Sequence, residues 1–133
     1  MSLACNTYKL SQDFPRTEAF GLLNQIRRSA VSIPSNIAEG HGRLTDNQFR
    51  HFLGNARGSL CELQTQLELA YQLGYLYERS WSDLRSQAHE VARLLNGLIA
   101  SLSDRRKVSA TGAATANSTN SASTPNAASP ALS

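Results

Sequence analysis

The sequence predicts an all-α protein built as an antiparallel helical bundle and followed by a disordered C-terminal tail. Three long segments carry apolar residues at alternating spacings of three and four, which collects them on one side of an α-helix. A near-seven-residue repeat continues along each segment, and this favours helices that pack close to antiparallel. No segment shows the alternation of apolar and polar residues that is typical of a β-strand.

The first predicted helix is short, and each of the next three carries one apolar stripe. The four helices cover about residues 3–13, 16–40, 46–73 and 80–104. The stripe of the second helix is Ala19, Leu23, Ile26, Ala30, Ile33 and Ile37. The stripe of the third is Phe49, Phe52 or Leu53, Ala56, Leu60, Leu63, Leu67 and Ala70. The stripe of the fourth is Trp81, Leu84, Ala88, Val91, Leu95, Leu98 and Leu102.

Capping residues mark the ends of these helices. Thr45 and Ser80 precede the third and fourth helices, and each side chain is predicted to accept a hydrogen bond from an amide of the first turn. Gly40 and Gly42 end the second helix and Gly74 ends the third, where a left-handed residue without a Cβ is favoured.

Two residue types disturb the helix interiors. Pro34 removes an amide and crowds the preceding turn, so a kink is predicted near Ile33, with the helix resuming through Asn36. Gly58 costs about 1 kcal/mol relative to alanine in a helix. Either a close helix contact or tolerance of glycine on an exposed face explains its presence.

Composition divides the 133-residue chain into a bundle domain, residues 1–107, and a tail, residues 108–133. The tail is rich in Ala, Ser, Thr and Asn and carries no charge, so it buries too little apolar surface to fold. All charged residues, and the formal net charge of +3, therefore belong to the bundle. A mild positive excess permits contact with phosphate but does not require it.

The sequence also bears on the compartment. It has no stretch of about 20 apolar residues that would span a membrane and no signal peptide. Cys5 and Cys61 are predicted to be free thiols, and we expect a cytoplasmic protein.

Two blocks of sequence resemble one bacterial family. The first contains Phe14-Pro15-Arg16, then Gln25-Ile26-Arg27-Arg28-Ser29-Ala30 and the segment Ile33-Pro34-Ser35-Asn36-Ile37-Ala38-Glu39-Gly40-His41-Gly42-Arg43. The second contains Phe49, Phe52-Leu53, Ala56, Gly58-Ser59-Leu60, Glu62-Leu63, Thr65-Gln66-Leu67, Ala70 and Leu73-Gly74-Tyr75-Leu76. Together they cover roughly residues 8 to 102, and they resemble the four-helix-bundle proteins encoded in intervening sequences of bacterial 23S ribosomal RNA genes.

This resemblance implies an up-and-down antiparallel four-helix bundle. It also implies a homo-oligomer, expected to be a pentamer, that binds RNA or DNA and has no catalytic residue. Related accessory proteins of diversity-generating retroelements make a reverse transcriptase, or another protein, a further expected partner. The residues that match the family motif are Pro34, Asn36, Glu39, Gly40, Gly58 and Gly74.

The first helix departs from the family pattern. Members begin with a full helix that contains a Trp, whereas here a few residues precede Tyr8, Lys9 and Leu10. Either the true start lies upstream, or the bundle has a shortened first helix. In the second case an apolar groove between the other helices is left open for a partner helix, which gives an alternative function as a protein-interaction module.

Arginines are the candidate nucleic-acid-binding residues, because the planar guanidinium group binds phosphate through paired hydrogen bonds. The candidates are Arg27, Arg28, Arg43, Arg50 and Arg57. The alternative is that they form ion pairs with Asp46, Glu39 or Glu62, within the chain or between subunits.

The sequence predicts no enzyme, metal site or cofactor. Glu39 and His41 are two residues apart and point in different directions on a helix, and no His-x-x-x-His or Cys-x-x-Cys spacing occurs. Ser59, His51 and Glu62 lack a carboxylate behind the histidine and an oxyanion hole. Asn36 and Glu39 are therefore expected to order the loop after Pro34 or to contact another subunit.

Overall fold

The computed structural model describes residues 1–10 and 20–116, and these residues form four α-helices. The helices are α1 (Ser2–Leu10), α2 (Phe20–His41), α3 (Asp46–Gln72) and α4 (Glu78–Ala116). The predicted all-α fold is confirmed, and α1 is the shortest helix, with 9 residues against 22 in α2. The predicted parts of the first two helices at 11–13 and 16–19 lie outside the described residues.

The helices pack as a four-membered bundle around one apolar core. Each helix contacts its neighbour in the chain, and α1 also contacts α4, which closes the bundle. The predicted stripe of α3 is confirmed in full from Leu53 onward, because its six apolar residues are all buried. The buried core residues of the other helices are Leu3 on α1, Ile26, Ala30 and Ile33 on α2, and Leu84, Ala88, Leu95 and Leu102 on α4.

Among the described residues of the predicted stripes, one is exposed, and six others are half-buried: Leu23, Ile37, Phe49, Phe52, Trp81 and Val91. Leu98 of α4 is 38% exposed. Its neighbour on the same side of α4, Val91, lines a small cavity with Met1 and Leu3, so the start of α1 lies beside Val91. Leu98 lies seven residues beyond Val91 along α4.

The corner between α2 and α3 is held by a cap and by a close approach. The Thr45 Oγ1 atom accepts a hydrogen bond from the Gln48 amide at 3.2 Å, which confirms the predicted N-cap. The left-handed conformation predicted for Gly40 and Gly42 is wrong, since Gly74 is the glycine with positive φ among the described residues. Gly40 is a buried residue of α2, and a Cβ there would lie 2.8 Å from the Phe49 ring.

Gly74 ends α3 as predicted, with a φ of +81°. Its amide donates to the Tyr71 carbonyl at 3.0 Å, and the Tyr75 amide donates to the Ala70 carbonyl at 2.8 Å. These two bonds form a Schellman motif, in which the residue after the C-cap adopts a left-handed conformation. The short turn that follows brings the chain back alongside α3.

The predicted cap of α4 at Ser80 is wrong. The helix begins at Glu78, and the Trp81 amide donates to the Tyr77 carbonyl at 3.0 Å. Since the N-cap carbonyl accepts the first bond of a helix, Tyr77 occupies that position and Ser80 lies within the first turn.

At its other end α4 continues to Ala116, beyond the predicted helix end at 104. Extending an existing helix requires no new nucleus, and alanine, frequent in this segment, has the highest helix propensity. The domain boundary at 107 stays a prediction, and residues 117–133 of the predicted tail lie outside the described residues.

Pro34 lies inside α2, which runs without a break from Phe20 to His41, so the predicted resumption of the helix through Asn36 is confirmed. The kink near Ile33 stays a prediction. Within the described ranges, no helix is both long and apolar enough to cross a membrane.

Candidate functional site

The five candidate arginines lie on different sides of the bundle. Arg27 on α2 faces α1, with its guanidinium carbon 4.7 Å from the centre of the Tyr8 ring. Arg28, the next residue, lines a groove between α2 and α3. The structure therefore does not bring these two arginines to one surface, although they are adjacent in sequence.

Arg43 is engaged at the corner between α2 and α3. It forms an ion pair with Glu39, and its guanidinium carbon lies 4.9 Å from the centre of the Phe52 ring. The alternative interpretation, an ion pair within the chain, is thus confirmed for Arg43. The roles predicted for Glu39, ordering of the loop or a contact with another subunit, stay predictions.

Arg50 and Arg57 belong to a third side, where α3 faces α4. The Arg57 Nη1 atom donates a hydrogen bond to the Asn96 Oδ1 atom of α4 at 3.2 Å. Residues seven positions apart lie nearly above one another on a helix, so Arg50 and Arg57 share a side with Gln64 and Tyr71. Arg57 is exposed, and Arg50 is half-buried with its Nε atom enclosed and without a hydrogen-bond partner.

The facing helix α4 contributes aromatic and basic residues to this side. The Trp81 ring stacks on the Tyr71 ring, with 4.2 Å between the ring centres and 4° between the planes. The Arg85 guanidinium carbon lies 5.3 Å from the centre of the Trp81 ring. We use the name α3–α4 face for Arg50, Arg57, Gln64, Tyr71, Trp81, Arg85 and Asn96.

The arginines of the α3–α4 face form no ion pair with another described residue. In the part of the chain that the structure describes, the ion pairs are Arg43 with Glu39, Arg93 with Glu90, and Arg105 with Asp46. Arg50, Arg57 and Arg85 take part in none of these pairs. The partner of Arg57 is a neutral amide, and Arg57 and Arg85 are exposed, so both positive charges are accessible to an anion.

The sequence alone did not indicate Tyr71, Arg85 or Asn96 as members of this face. The seven-residue step from Arg50 through Arg57 and Gln64 to Tyr71 is visible in the sequence, but the register of α3 against α4 is not. That register depends on the Schellman turn at Gly74. The sequence-based interpretation of Trp81 as a packing residue agrees with its half-buried position and its stack on Tyr71.

The α2–α3 groove is the second polar feature of the bundle. It has a volume of about 490 Å³ and is lined by Gln25, Arg28, Ser29, Ser32, Ser59, Glu62 and Gln66. The Ser32 and Ser59 hydroxyl oxygens lie 2.8 Å apart and connect the two helices. Asn36 donates to the Ser32 carbonyl at 2.8 Å and to the Ser32 hydroxyl at 3.0 Å, so this motif residue holds the network in place.

The remaining motif residues act on the backbone. Gly40 permits the close approach of α2 to α3, and Gly74 supplies the left-handed turn. A Cβ at Gly58 would meet no atom of the described residues within 4 Å, so no close contact with them requires that glycine.

The described residues do not assemble the catalytic groups considered from the sequence. The hydroxyl of Ser59 contacts Ser32, and the His51 ring contacts the Phe52 ring, with 5.5 Å between the ring centres. Within residues 1–10 and 20–116, no cluster of three or more His, Cys, Asp or Glu residues could hold a metal ion.

This geometry defines a helical bundle with a basic face on α3 and α4 and a polar groove between α2 and α3. The family model of the 23S rRNA-intervening sequence protein matches residues 1–97, and the chain belongs to that family. A comparison with curated proteins gave no match.

A solved structure has the same fold. It is a protein with unknown function of the S23 ribosomal protein family from Bacteroides thetaiotaomicron, and it is 26% identical to this chain, with a TM-score of 0.65. The similarity covers 72% of this chain and 87% of that one.

Proposed function

We propose that this chain is a non-enzymatic subunit of a homo-oligomer that binds RNA or DNA without sequence specificity through the α3–α4 face. The observation that carries the proposal is that Arg50, Arg57 and Arg85 on that face form no ion pair with another described residue. Arg43 is excluded from the proposed surface because Glu39 neutralises it. Arg27 and Arg28 lie on other sides of the bundle and are not needed for it.

Guanidinium groups on a rigid helix suit a phosphate backbone. Each group offers paired donors to a phosphate, and the release of counterions from the nucleic acid supplies affinity that does not depend on sequence. Contacts to phosphate position a nucleic acid but do not read its bases. The expected binding is therefore sensitive to salt and similar for different sequences.

The test is the affinity of the purified full chain for fluorescently labelled RNA, followed by anisotropy at low salt. Arg57→Ala should weaken binding about equally for unrelated sequences, because it removes a phosphate contact. Arg93→Ala is the matched control, since it also removes one exposed arginine, but one that is paired with Glu90 on α4. Equal affinities for the wild type and Arg57→Ala would reject the α3–α4 face as the binding surface.

A second candidate function is the binding of a partner helix. Gln87 of α4 accepts a hydrogen bond from Asn6 of α1, so that side of α4 faces α1. Leu94 lies seven residues further on the same side, beyond the start of α1, and is 64% exposed. Together with Leu98 it offers an apolar surface of the kind that an amphipathic helix covers.

Capture from cell lysate with and without nuclease distinguishes the two candidates. If nucleic acid is the partner, nuclease treatment removes the material retained by the wild type, and Leu94→Asp has no effect. If the wild type still retains a protein after nuclease treatment, and the Leu94→Asp variant does not retain it, the second candidate is favoured and the first is contradicted.

A further inference from the structure

The α3–α4 face ends in a layered stack, and this stack suggests which form of nucleic acid the face accepts. The Tyr71 and Trp81 rings are nearly parallel, with 4.2 Å between their centres. The Arg85 guanidinium carbon lies over the Trp81 ring, 5.3 Å from its centre. Arg85 is exposed, whereas Tyr71 and Trp81 are half-buried. The exposed group of the stack is therefore a guanidinium group that lies over the Trp81 ring, and this ring in turn stacks on Tyr71.

We propose that the Tyr71–Trp81–Arg85 stack binds an unpaired nucleobase, so that the α3–α4 face takes single-stranded rather than double-stranded nucleic acid. This inference rests on the proposed function and narrows its ligand class. Unpaired bases stack on aromatic side chains and on arginine guanidinium planes, whereas the bases of a duplex are stacked on one another and are not available.

The position of the stack relative to Arg50 and Arg57 suits a single nucleic-acid strand that runs along the α3–α4 face. Arg57 contacts Asn96, and Tyr71 contacts Trp81, so the antiparallel register keeps both pairs on the same side of the bundle. From Arg50 to Tyr71 the face extends about 31 Å along α3, at about 1.5 Å per residue. Arg50 and Arg57 would hold phosphates along one half of this length, while the stack holds a base at the other end.

Arg85 is the residue at which base stacking can be tested separately from electrostatic attraction to phosphate, because its guanidinium group is both charged and planar. It forms no ion pair with another described residue, so its guanidinium group is free to contact a base or a phosphate. Lysine at this position would keep the positive charge but lose the planar group that stacks.

Trp81 is the single tryptophan of the chain and reports directly on the stack. The experiment titrates the full-length protein with a mixed-sequence 12-nucleotide RNA, either alone or annealed to its complement, and follows tryptophan fluorescence and anisotropy of the labelled RNA together. The single strand is expected to quench Trp81 and to bind more tightly than the duplex. Arg85→Lys should lose the quenching and weaken single-strand binding by about fivefold or more, the size expected for one stacked base.

Each of the other outcomes contradicts the inference. Binding that depends on Arg50 and Arg57 but leaves Trp81 fluorescence unchanged overturns the stacking site and leaves the proposed function standing. Equal affinity for single strand and duplex, or an Arg85→Lys protein that behaves as the wild type, overturns it as well. Absence of binding to the RNA and to a DNA strand of the same sequence overturns both proposals.

Discussion

Gly40 shows how a single missing Cβ fixes the distance between two helices. Its backbone lies against Phe49 and Phe52 of α3, and a Cβ there would come within 2.8 Å of the Phe49 Cδ1 atom and 2.9 Å of the Phe52 Cβ atom. The second of these atoms is bound directly to the α3 backbone, so it moves only if the helix moves. The sequence indicated a glycine near the end of α2, but the packing reason depends on the two phenylalanines across the corner.

Substitution of Gly40 by alanine should therefore destabilise the bundle. Overpacking of a close contact costs about 1–3 kcal/mol, and the better helix propensity of alanine, about 1 kcal/mol, offsets part of that cost. The measurement is the free energy of unfolding in urea.

Gly54→Ala is the matched control, because Gly54 is also helical but has no atom within 4 Å of a Cβ. This variant should be as stable as the wild type or more stable by up to about 1 kcal/mol. A Gly40→Ala protein that gains stability as Gly54→Ala does would contradict the close approach.

The arginines show why their spacing in the sequence did not locate the proposed binding face. Arg43, Arg50 and Arg57 are spaced by seven in the sequence, which places them together in a one-dimensional pattern. Arg43 belongs to the corner and is paired with Glu39, while Arg57 lies on α3 and contacts Asn96. Partners that are 39 residues distant in the chain, as Asn96 is from Arg57, follow from the packing of helices rather than from local sequence.

The helices themselves were predictable because their apolar stripes and their turns agree. All six buried residues of α3 belong to the predicted stripe, and the turn at Gly74 lies where the glycine indicated it. The start of α4 was predicted less well, since a serine that could cap a helix follows the actual N-cap position at Tyr77 by three residues. Tyrosine is not among the residue types preferred at an N-cap, so the sequence did not indicate a helix start at Glu78.

The turn between α3 and α4 sets the register of the proposed binding face, and Gly74 sets the turn. A residue with a Cβ is strained at a φ of +81° by roughly 1–2 kcal/mol. Gly74→Ala should lower the free energy of unfolding by about that amount, measured by thermal or urea denaturation.

Gly74→Asn is the companion variant, because asparagine adopts the left-handed conformation more readily than alanine. It should recover part of the loss. Equal stability of Gly74→Ala and the wild type would show that the turn does not depend on the left-handed residue.

The whole molecule combines a closed apolar core with an exposed apolar surface on α4 and a basic surface on the α3–α4 face. Leu94 and Leu98 of α4 are exposed, and three arginines of the α3–α4 face have no carboxylate partner among the described residues. Both features are consistent with a chain that acts together with copies of itself or with a ligand. The family resemblance predicts the first of these, and the charge distribution supports the second.

Assembly is open to direct measurement. If the chain forms the expected homopentamer, sedimentation equilibrium at micromolar concentration will give a mass close to five times that of the 14.5 kDa chain. A mass equal to that of one chain at all concentrations would contradict the oligomer and leave the exposed leucines to be explained by another partner.

The dependence of RNA affinity on salt tests the central claim, binding of phosphates by Arg50 and Arg57, most directly. For each phosphate contact that is lost, the slope of the logarithm of the association constant against the logarithm of the salt concentration falls by about one. The Arg50→Ala/Arg57→Ala protein should therefore show a slope smaller by about two per chain engaged, while Arg93→Ala keeps the wild-type slope. An unchanged affinity and slope in the double variant would contradict the account.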